Sequence, residues 1–245
     1  SVIDINSDVI IKNFTIENGY ARQIDGHGGG GIYIHGSGSP IVEDNIIQNN
    51  KAIPDSNTEY DGGGILINTN TESSNSIIRN NIIRNNQAFP GGGGICVFVS
   101  GPNTIIERNL IINNELVIYN GGTGSLGENG GGVRLQNYQY SGPVFINNTL
   151  WGNSSWGENN DIVALNDAVV KNNIIGFNSP QTSVDLDYNF IANTTSNTPL
   201  FVDISDENFH LQWGSPCIDS GDFDSGPDPD GTRMDMGAFP FYQIP

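Results

Sequence analysis

Basic residues are scarce in this 245-residue chain, which has 9 Lys and Arg against 27 Asp and Glu and a formal charge of -18. Nucleic-acid binding needs a basic face that displaces counterions from phosphates, so this balance argues against it. It also argues against electrostatic attraction to anionic membranes. The charge is compatible with divalent cations and neutral glycans, whereas a polyanionic glycan would require a local cationic cluster or bridging calcium.

Cysteines and long apolar runs are also scarce. The spacing of Cys96 and Cys217 permits one disulfide without implying it, and two free thiols are the simpler interpretation. No apolar run is long enough for a transmembrane helix, and no signal peptide is recognisable. The apolar runs are short, rich in Ile and Val and without a helical period, which excludes long amphipathic helices.

Two motifs recur along the chain. A Gly-Gly-Gly-(Ile/Val) motif begins at Gly29, Gly62, Gly92 and Gly130. An Asn-rich motif with Asn at its first and sixth positions begins at Asn45, Asn81, Asn109, Asn148 and Asn173. Such a period indicates an array of units that cannot bury their apolar faces alone. Short strands between Asn, Gly and Ser turns predict an all-β parallel β-helix of roughly seven coils, with three strands per coil.

The alternation of side chains along a strand fixes the predicted register. One inward column comprises Ile32, Ile65, Ile95 and Val133, and another comprises Ile16, Ile47, Ile83, Ile111, Leu150 and Ile175. We expect Tyr33, Leu66, Cys96 and Phe98 to lie side by side on the outward face, with His35 and Asn68 alongside. Each of the last five members of the second column is followed three residues later by an Asn; these are Asn50, Asn86, Asn114, Asn153 and Asn178. Stacked Asn side chains can hydrogen-bond to their copies, and Asn tolerates left-handed backbone, so we interpret these residues as structural.

The repeats predict one domain over residues 1–245, with coils in 1–201 and an irregular C-terminal cap in 202–245. Residues 2–19 form the first coil, with Phe14 and Ile16 as its apolar core. The residues after Gly214 contain no repeat and are expected to cover the end of the core, because the terminal units of solenoids are atypical.

Five loops of different length follow the Asn column, at residues 20–29, 51–61, 87–91, 115–129 and 154–160. Insertions at one corner of a solenoid often form its binding face. Six loop residues are candidates for glycan binding: Tyr60, Asp61, Tyr119, Glu128, Trp156 and Glu158. Sugar C–H faces pack on aromatic rings, and carboxylates accept hydroxyl hydrogen bonds. Alternatively, the rings anchor their own loops. The loop carboxylates, including Asp25 and Asp161, could also perform acid–base chemistry on glycosides, bind calcium or remain solvated.

The tail is rich in acidic residues on Gly-containing turns. Asp222, Asp224, Asp228 and Asp230 offer oxygens at alternate positions, which predicts calcium as a candidate ligand. The alternative is that Arg233 pairs with one Asp while the others are solvated.

The two repeated motifs resemble those of right-handed parallel β-helix proteins in the pectate-lyase-like superfamily, and also the repeats of polymorphic outer-membrane proteins. The stretch Gly214–Asp222 (GSPCIDSGD) is similar to the GSPAIDAGD segment that closes many bacterial and archaeal surface β-helices, called choice-of-anchor Q proteins, with Cys217 in place of Ala. The segments 230–233 (DGTR) and 235–239 (DMGAF) match the endings of that family. The resemblance implies an exported protein, often one module of a longer surface polypeptide.

The superfamily also includes polysaccharide lyases and hydrolases. A lyase of this fold needs a Lys or Arg base and a cation, but the arginines here match no lyase motif. The tripeptide around His27 matches one fragment of the polygalacturonase pattern, whose other parts are absent. We therefore expect a non-catalytic structural or adhesin-like module, extracellular or at the cell surface, that can contact glycans. The alternative is a lyase or glycoside hydrolase that acts through the corner loops.

The expected partners follow from this interpretation. They are surface polysaccharides, flanking domains of a longer chain, or further subunits stacked end to end at the open N-terminal coil. Nucleic acid and direct membrane insertion are not expected.

Overall fold

The computed structural model describes residues 1–21, 28–53, 62–69, 74–117, 130–136, 142–155, 158–159, 161–176, 181–192 and 197–243, with 158–159 and 181–182 through their backbone. The described residues form short strands and one 3₁₀ turn, Phe223–Ser225. They contain no helix with the length and apolar character needed to span a bilayer. The strands coincide with the short Ile- and Val-rich runs, some of which bury alternate side chains and others every one.

Three parallel sheets form the walls of a β-helix, as the repeats predicted. Sheet A consists of β1 (Ile3–Ile5), β4 (Ile32–His35), β8 (Ile65–Asn68), β12 (Ile95–Val99), β16 (Val133–Leu135), β21 (Ile162–Ala164) and β24 (Gln181–Thr182). Sheet B consists of β2 (Ile10–Lys12), β5 (Ile41–Glu43), β9 (Ile77–Arg79), β13 (Ile105–Glu107), β17 (Val144–Ile146) and β22 (Val169–Lys171). Sheet C consists of β3 (Thr15–Glu17), β6 (Ile46–Gln48), β10 (Ile82–Arg84), β14 (Leu110–Ile112), β18 (Thr149–Trp151), β23 (Ile174–Ile175) and β25 (Phe190–Ile191). Sheets A and C each contain seven strands, which confirms the expected number of coils.

A fourth, narrow sheet was not predicted. Sheet D consists of β7 (Lys51–Ala52), β11 (Gln87–Ala88), β15 (Glu115–Leu116), β19 (Ser154–Ser155) and β20 (Glu158–Asn159). Its first four strands are parallel, and β20 pairs with β19 in the antiparallel sense. Outside the coils, β26 (Phe201–Asp203) and β27 (Asn208–Leu211) form an antiparallel hairpin.

Both predicted inward columns are confirmed. Ile32 pairs with Ile65, which pairs with Ile95, and the column continues to Val133. In sheet C the register runs from Ile16 through Ile47, Ile83, Ile111 and Leu150 to Ile175. All of these side chains are buried in one continuous apolar core, which the two-residue period of each strand places inside the coils.

The predicted Asn ladder is present at the corner between sheets C and D. The Nδ2 group of each Asn donates to Oδ1 of the next, with 3.0 Å from Asn50 to Asn86, 2.9 Å to Asn114 and 3.0 Å to Asn153. The backbone N–H of each donor bonds to the same oxygen. Left-handed backbone occurs one residue before the ladder, for example at Asn85 and Asn113, so the attribution of that conformation to the stacked Asn residues themselves is wrong.

A second ladder follows the corner between sheets B and C, where the sequence analysis had identified the repeated Asn but no stacking. It runs through Asn45, Asn81, Asn109, Asn148, Asn173 and Asn189, with Nδ2–Oδ1 distances from 2.8 to 3.1 Å. The left-handed residues that precede it are Asp44, Asn80, Arg108, Asn147, Asn172 and Tyr188. Their side chains stand at the outside of this corner, which we call the B–C corner.

Asp161 takes the fifth place of the first ladder. Asn178, which the spacing assigned to that place, lies outside the described residues. Asp161 Oδ1 accepts Asn153 Nδ2 at 2.6 Å and its backbone N–H at 3.0 Å, while Oδ2 accepts Gly176 N at 2.9 Å. The side chain is fully buried, so the interpretation of Asp161 as a solvated or catalytic loop carboxylate is wrong.

The third glycine of each Gly-rich motif explains why Asp161 can enter the ladder. A Cβ atom on Gly132 would lie 2.8 Å from the side chain of Asn153 and 2.6 Å from the carbonyl oxygen of Asp161. Glycine therefore leaves room for the ladder amide of its own coil. In the next coil Asp161 replaces this glycine, since Ile162 pairs with Val133, and its own side chain fills the space.

Phe14 does not belong to the core, contrary to expectation. Ile16 is buried beneath Ile47, but Phe14 precedes strand β3 and its side chain is 59 % exposed. Two residues before Ile16, it occupies the place that Asn45 holds in the next coil, and its backbone N–H donates to Asn45 Oδ1 at 3.0 Å. The corner geometry turns this position outward, whereas an Asn there can bond along the corner.

The C-terminal tail is irregular, as predicted, but its described contacts run along the side of the stem and not across the last coil. Phe201, Phe209, Leu211, Cys217 and Met236 are buried against Leu110, Ile112 and Ile174, which lie on the outward face of sheet C. Polar contacts continue this path, with Asn147 Nδ2 donating to Asp235 O and Gly237 N to Asn172 O. Both cysteines are buried and neither is part of a disulfide, as the simpler interpretation predicted.

Candidate functional site

The predicted glycan-binding residues of the corner loops cannot be placed relative to one another. Tyr60, Asp61, Tyr119, Glu128 and Trp156 lie outside the described residues, and Glu158 is described only as part of strand β20. The roots of the loops are ordered, however. Sheet D stacks Lys51, Gln87, Glu115 and Ser154 in register, so these loops leave from one corner, as expected.

The outward face of sheet A is covered in its central coils. Tyr33, Leu66 and Cys96 are register partners, as predicted, and Leu66 and Cys96 are buried. Phe98 does not continue the row, because a register shift between Val97 and Val99 places Val99 opposite Asn68. The described part of this face is therefore a packed surface over β8 and β12 and not an open cleft.

The open end of the same face carries a small polar cluster. His35 Nε2 lies 2.5 Å from Asp4 Oδ1, and the His35 ring stacks on Tyr33 with centroids 4.7 Å apart. Both polar partners are at least partly exposed. The contact between His35 and Asp4 is an ion pair or hydrogen bond on one edge of the sheet. It does not by itself make a catalytic site.

The acidic residues of the tail make separate contacts. Asp222 accepts Lys171 Nζ at 2.7 Å, and this hydrogen bond lowers the pKa of the carboxyl group. Asp230 accepts the backbone N–H groups of Gln243 and Thr232, which lower its pKa as well. Within the described part of the chain, no three acidic, His or Cys side chains are close enough to hold a metal ion. Calcium therefore stays a prediction, and the observed partners are protein groups.

The structure brings together a different set of functional groups beside the tail. A groove of about 490 Å³ lies between the B–C corner and the last residues described, and its wall includes Asp44, Asn80, Ile82, Arg108, Phe239 and Tyr242. We call it the lateral groove. Asp44, Asn80 and Arg108 are the left-handed corner residues of three successive coils. Tyr242 lines the same groove, and this residue is 62 % exposed.

Arg108 is held in this groove by a buried carboxylate. Its Nη2 lies 3.5 Å from Asp228 Oδ1 and 3.5 Å from Met234 Sδ. The side chain of Asp228 is 1 % exposed, and its other oxygen accepts Asp235 N at 2.6 Å. Burial raises the pKa of the neighbouring Asp235 to about 6, although the backbone N–H groups of Phe241 and Asp219 oppose this shift. The tail thus fixes the guanidinium while part of it remains accessible.

A second recess lies on the other side of the C-terminal run 239–243. Its lining includes Trp213, Asp219 and Gln243, and its volume is about 270 Å³. The Trp213 side chain is 78 % exposed and its ring centroid lies 6.0 Å from that of Phe241. Gln243 Nε2 donates to Asp219 Oδ2 at 2.7 Å. Two accessible aromatic rings, Tyr242 and Trp213, therefore line two separate recesses beside the C-terminal run.

Sequence reasoning did not identify these groups. The recurring motifs of the sequence belong to the coils, and the tail contains no repeat. Two signals could have pointed to the site: the apolar outward positions of the Asn-rich motif, such as Ile82 and Leu110, which require a cover, and the aromatic residues of the segment that supplies it.

The comparisons with known proteins address the fold. A family model described as a right-handed β-helix region matches residues 2–129. A search of curated proteins finds no match. The solved structures include one entitled "Crystal structure of pectate lyase Pel9A", which is similar to this chain with a TM-score of 0.54 and 17 % sequence identity, over 97 % of this chain and 69 % of that one. At this identity the likeness establishes a common fold. The matched region covers more than half of the sequence, so the chain belongs to the family of right-handed β-helix proteins.

Proposed function

We propose that this protein is an extracellular or cell-surface β-helix module that binds carbohydrate at the lateral groove without cleaving it. The observation that carries the proposal is that the exposed Tyr242 lines the same groove as Asp44, Asn80 and Arg108. The C–H face of a sugar can pack on the ring, while the carboxylate, amide and guanidinium groups bond to its hydroxyls. Trp213 offers a second ring across the C-terminal run.

The rigid stem supports this proposal. Asp44, Asn80 and Arg108 each precede a member of the Asn ladder at the B–C corner, so this hydrogen-bonded column fixes the spacing of their backbones. Neighbouring coils are about 4.8 Å apart, which puts the three groups in a row of about 10 Å. Side chains on such a frame lose little additional freedom when a ligand binds.

The cellular location follows from the same interpretation. A strongly acidic β-helix is suited to a place outside the cell, and the resemblance to surface β-helices supports this proposal. The corner loops, with Tyr60, Tyr119 and Trp156, are proposed as a second carbohydrate contact, and calcium as an ion of the acidic tail.

A glycan array with the wild-type chain, in calcium and in EDTA, tests the proposal. We expect binding to at least one glycan and a loss of roughly tenfold in Tyr242→Ala, since a stacked ring contributes about 1 kcal/mol or more. Phe14→Ala, which removes an equally exposed ring from the first coil, is the control. Binding lost in Trp156→Ala but kept in Tyr242→Ala would transfer the site to the corner loops. Release of unsaturated oligosaccharides that absorb in the ultraviolet would replace the proposal with a lyase.

A further inference from the structure

The charges around the lateral groove bear on which sugars it accepts. The described wall contains one cationic side chain, Arg108, and one exposed carboxylate, Asp44. Asp228 stands directly behind Arg108. The formal charge of these three groups is -1, within a chain of formal net charge -18.

Arg108 already pairs with a carboxylate that is shielded from solvent. The Asp228 side chain is buried, and its two oxygens are used by Arg108 Nη2 and by Asp235 N. A uronate carboxylate in the groove would have to share the guanidinium with Asp228. Weakening the buried pair leaves a buried charge less well compensated, which is unfavourable.

The remaining groups of the wall suit hydroxyls. A guanidinium has five N–H donors, so Arg108 can donate to a sugar oxygen while it keeps Asp228. Asn80 offers both a donor and acceptors, and Asp44 accepts only. Asp44 would repel a nearby anion, whereas a hydroxyl can donate a charge-assisted hydrogen bond to it.

We infer that the lateral groove selects neutral, hydroxyl-rich saccharides and discriminates against uronate chains. The inference rests on the proposed carbohydrate function and adds the class of ligand. In this arrangement Tyr242 supplies the stacking surface, Arg108 acts as a neutralised hydroxyl donor, and Asp44 acts as the residue that disfavours acidic sugars.

Affinity electrophoresis and titration calorimetry test this selection with defined probes. The neutral probes are xylan, β-glucan, galactan and mannan, and the acidic probes are polygalacturonate and alginate, each in EDTA and in calcium. We expect binding of at least one neutral polysaccharide, at least tenfold weaker binding of both acidic ones, and no effect of calcium. Tyr242→Ala should weaken the neutral interaction, and Phe14→Ala should not.

A charge variant examines the role of Asp44. Asp44→Asn keeps an acceptor but removes the charge, and it should raise the affinity for acidic probes about two- to fivefold, as expected for one exposed charge pair. Asp167→Asn is the matched control, because Asp167 is also exposed and left-handed but lies on another corner.

The outcomes separate this inference from the function on which it rests. Equal or stronger binding of polygalacturonate that is lost in Tyr242→Ala, with or without calcium, would overturn the selection for neutral sugars and leave carbohydrate binding at the groove. An Asp44→Asn variant with unchanged discrimination would also overturn it. Failure to bind every probe, or binding unaffected by Tyr242→Ala, would overturn the proposed function and the inference together.

Discussion

Replacement of Asp161 with Asn should remove one pH-dependent part of the stability of this protein. Asp161 is buried at the end of the first ladder, where it accepts hydrogen bonds from Asn153 and Gly176. Burial raises the pKa of its carboxyl group from 3.8 to about 6, although the three N–H donors oppose the shift. The pKa in the unfolded chain should lie near the ordinary value.

The sign follows from proton linkage. Between about pH 4 and pH 6 the folded state holds the Asp161 proton more tightly than the unfolded state does, so the free energy of unfolding falls as the pH rises through this window. Above about pH 6 the carboxyl group is ionised in both states and the decrease levels off. A difference of about two pK units corresponds to about 3 kcal/mol.

The amide of Asp161→Asn fits the pattern of the other ladder residues. Asn114 and Asn153 donate through Nδ2 to carbonyls of the preceding coil, Ile83 O and Ile111 O, and the equivalent acceptor for residue 161 is Leu150 O. Gly176 N already donates to Leu150 O and would keep that bond. If one N–H of the side-chain amide introduced by Asp161→Asn lacked an acceptor, the variant would be less stable by the same amount at every pH. The dependence of its stability on pH would not change.

Urea unfolding of both proteins from pH 3.5 to pH 8 measures the effect. The stability of wild type minus that of Asp161→Asn should fall by about 3 kcal/mol between about pH 4 and pH 6 and then remain flat. Asp235, whose pKa is also raised, is present in both proteins and cancels in this difference. Asp167→Asn, with an exposed side chain, is the control. Parallel curves for wild type and Asp161→Asn would refute the reasoning.

Other substitutions test the core, the ladder and the groove by urea unfolding. Ile67→Ala should lower the free energy of unfolding by about 2–5 kcal/mol, because Ile67 is fully buried, and an unchanged midpoint would contradict its inward position. Asn86→Ala should lower it by about 1–3 kcal/mol through unpaired ladder groups, and a neutral effect would show that water replaces the amide. Gly64→Ala should be destabilising because its Cβ would lie 2.6 Å from a backbone oxygen of the next coil, and a crystal structure of a stable variant would disprove that constraint. Arg108→Ala should be destabilising by about 1–3 kcal/mol by leaving Asp228 without its cation, and full stability at neutral pH would argue against that ion pair.

The sequence was sufficient to predict the coils because each coil repeats the same alternation of inward and outward side chains. Ile or Val at alternate positions places Ile32 and Ile34 inside, and parallel stacking then carries the choice from one coil to the next. The same logic did not identify Asp161, which takes the ladder place that the spacing assigned to Asn178. The next place in the ladder is filled by whichever side chain can accept the hydrogen bond of Asn153. Because Asp161 stands where earlier coils have the third glycine, its side chain reaches this place from a different strand.

The tail and the lateral groove were beyond the reach of periodicity. Contacts such as Arg84 with Glu207 and Arg108 with Asp228 join residues that are distant in sequence and have no repeated counterparts. The tail was expected at the end of the core because terminal units of solenoids are atypical. Its apolar side chains instead meet the apolar outward positions of sheet C, such as Leu110 and Ile174, which a two-residue period alone does not distinguish from exposed ones.

The two Asn ladders also give the stack a direction. The hydrogen bonds between ladder side chains all run from Nδ2 of one coil to the oxygen of the next coil toward the C-terminus, while the same Nδ2 groups also donate to carbonyls of the preceding coil. The ionised carboxylate of Asp161 accepts hydrogen bonds from Asn153 but has no N–H with which to donate to a further coil. Asn189 turns its Nδ2 group back to the carbonyls of Val170, Leu186 and Asp187. Within the described residues, each ladder thus has a polarity like that of a polymer chain, and its last member, Asp161 or Asn189, accepts from the ladder Asn before it.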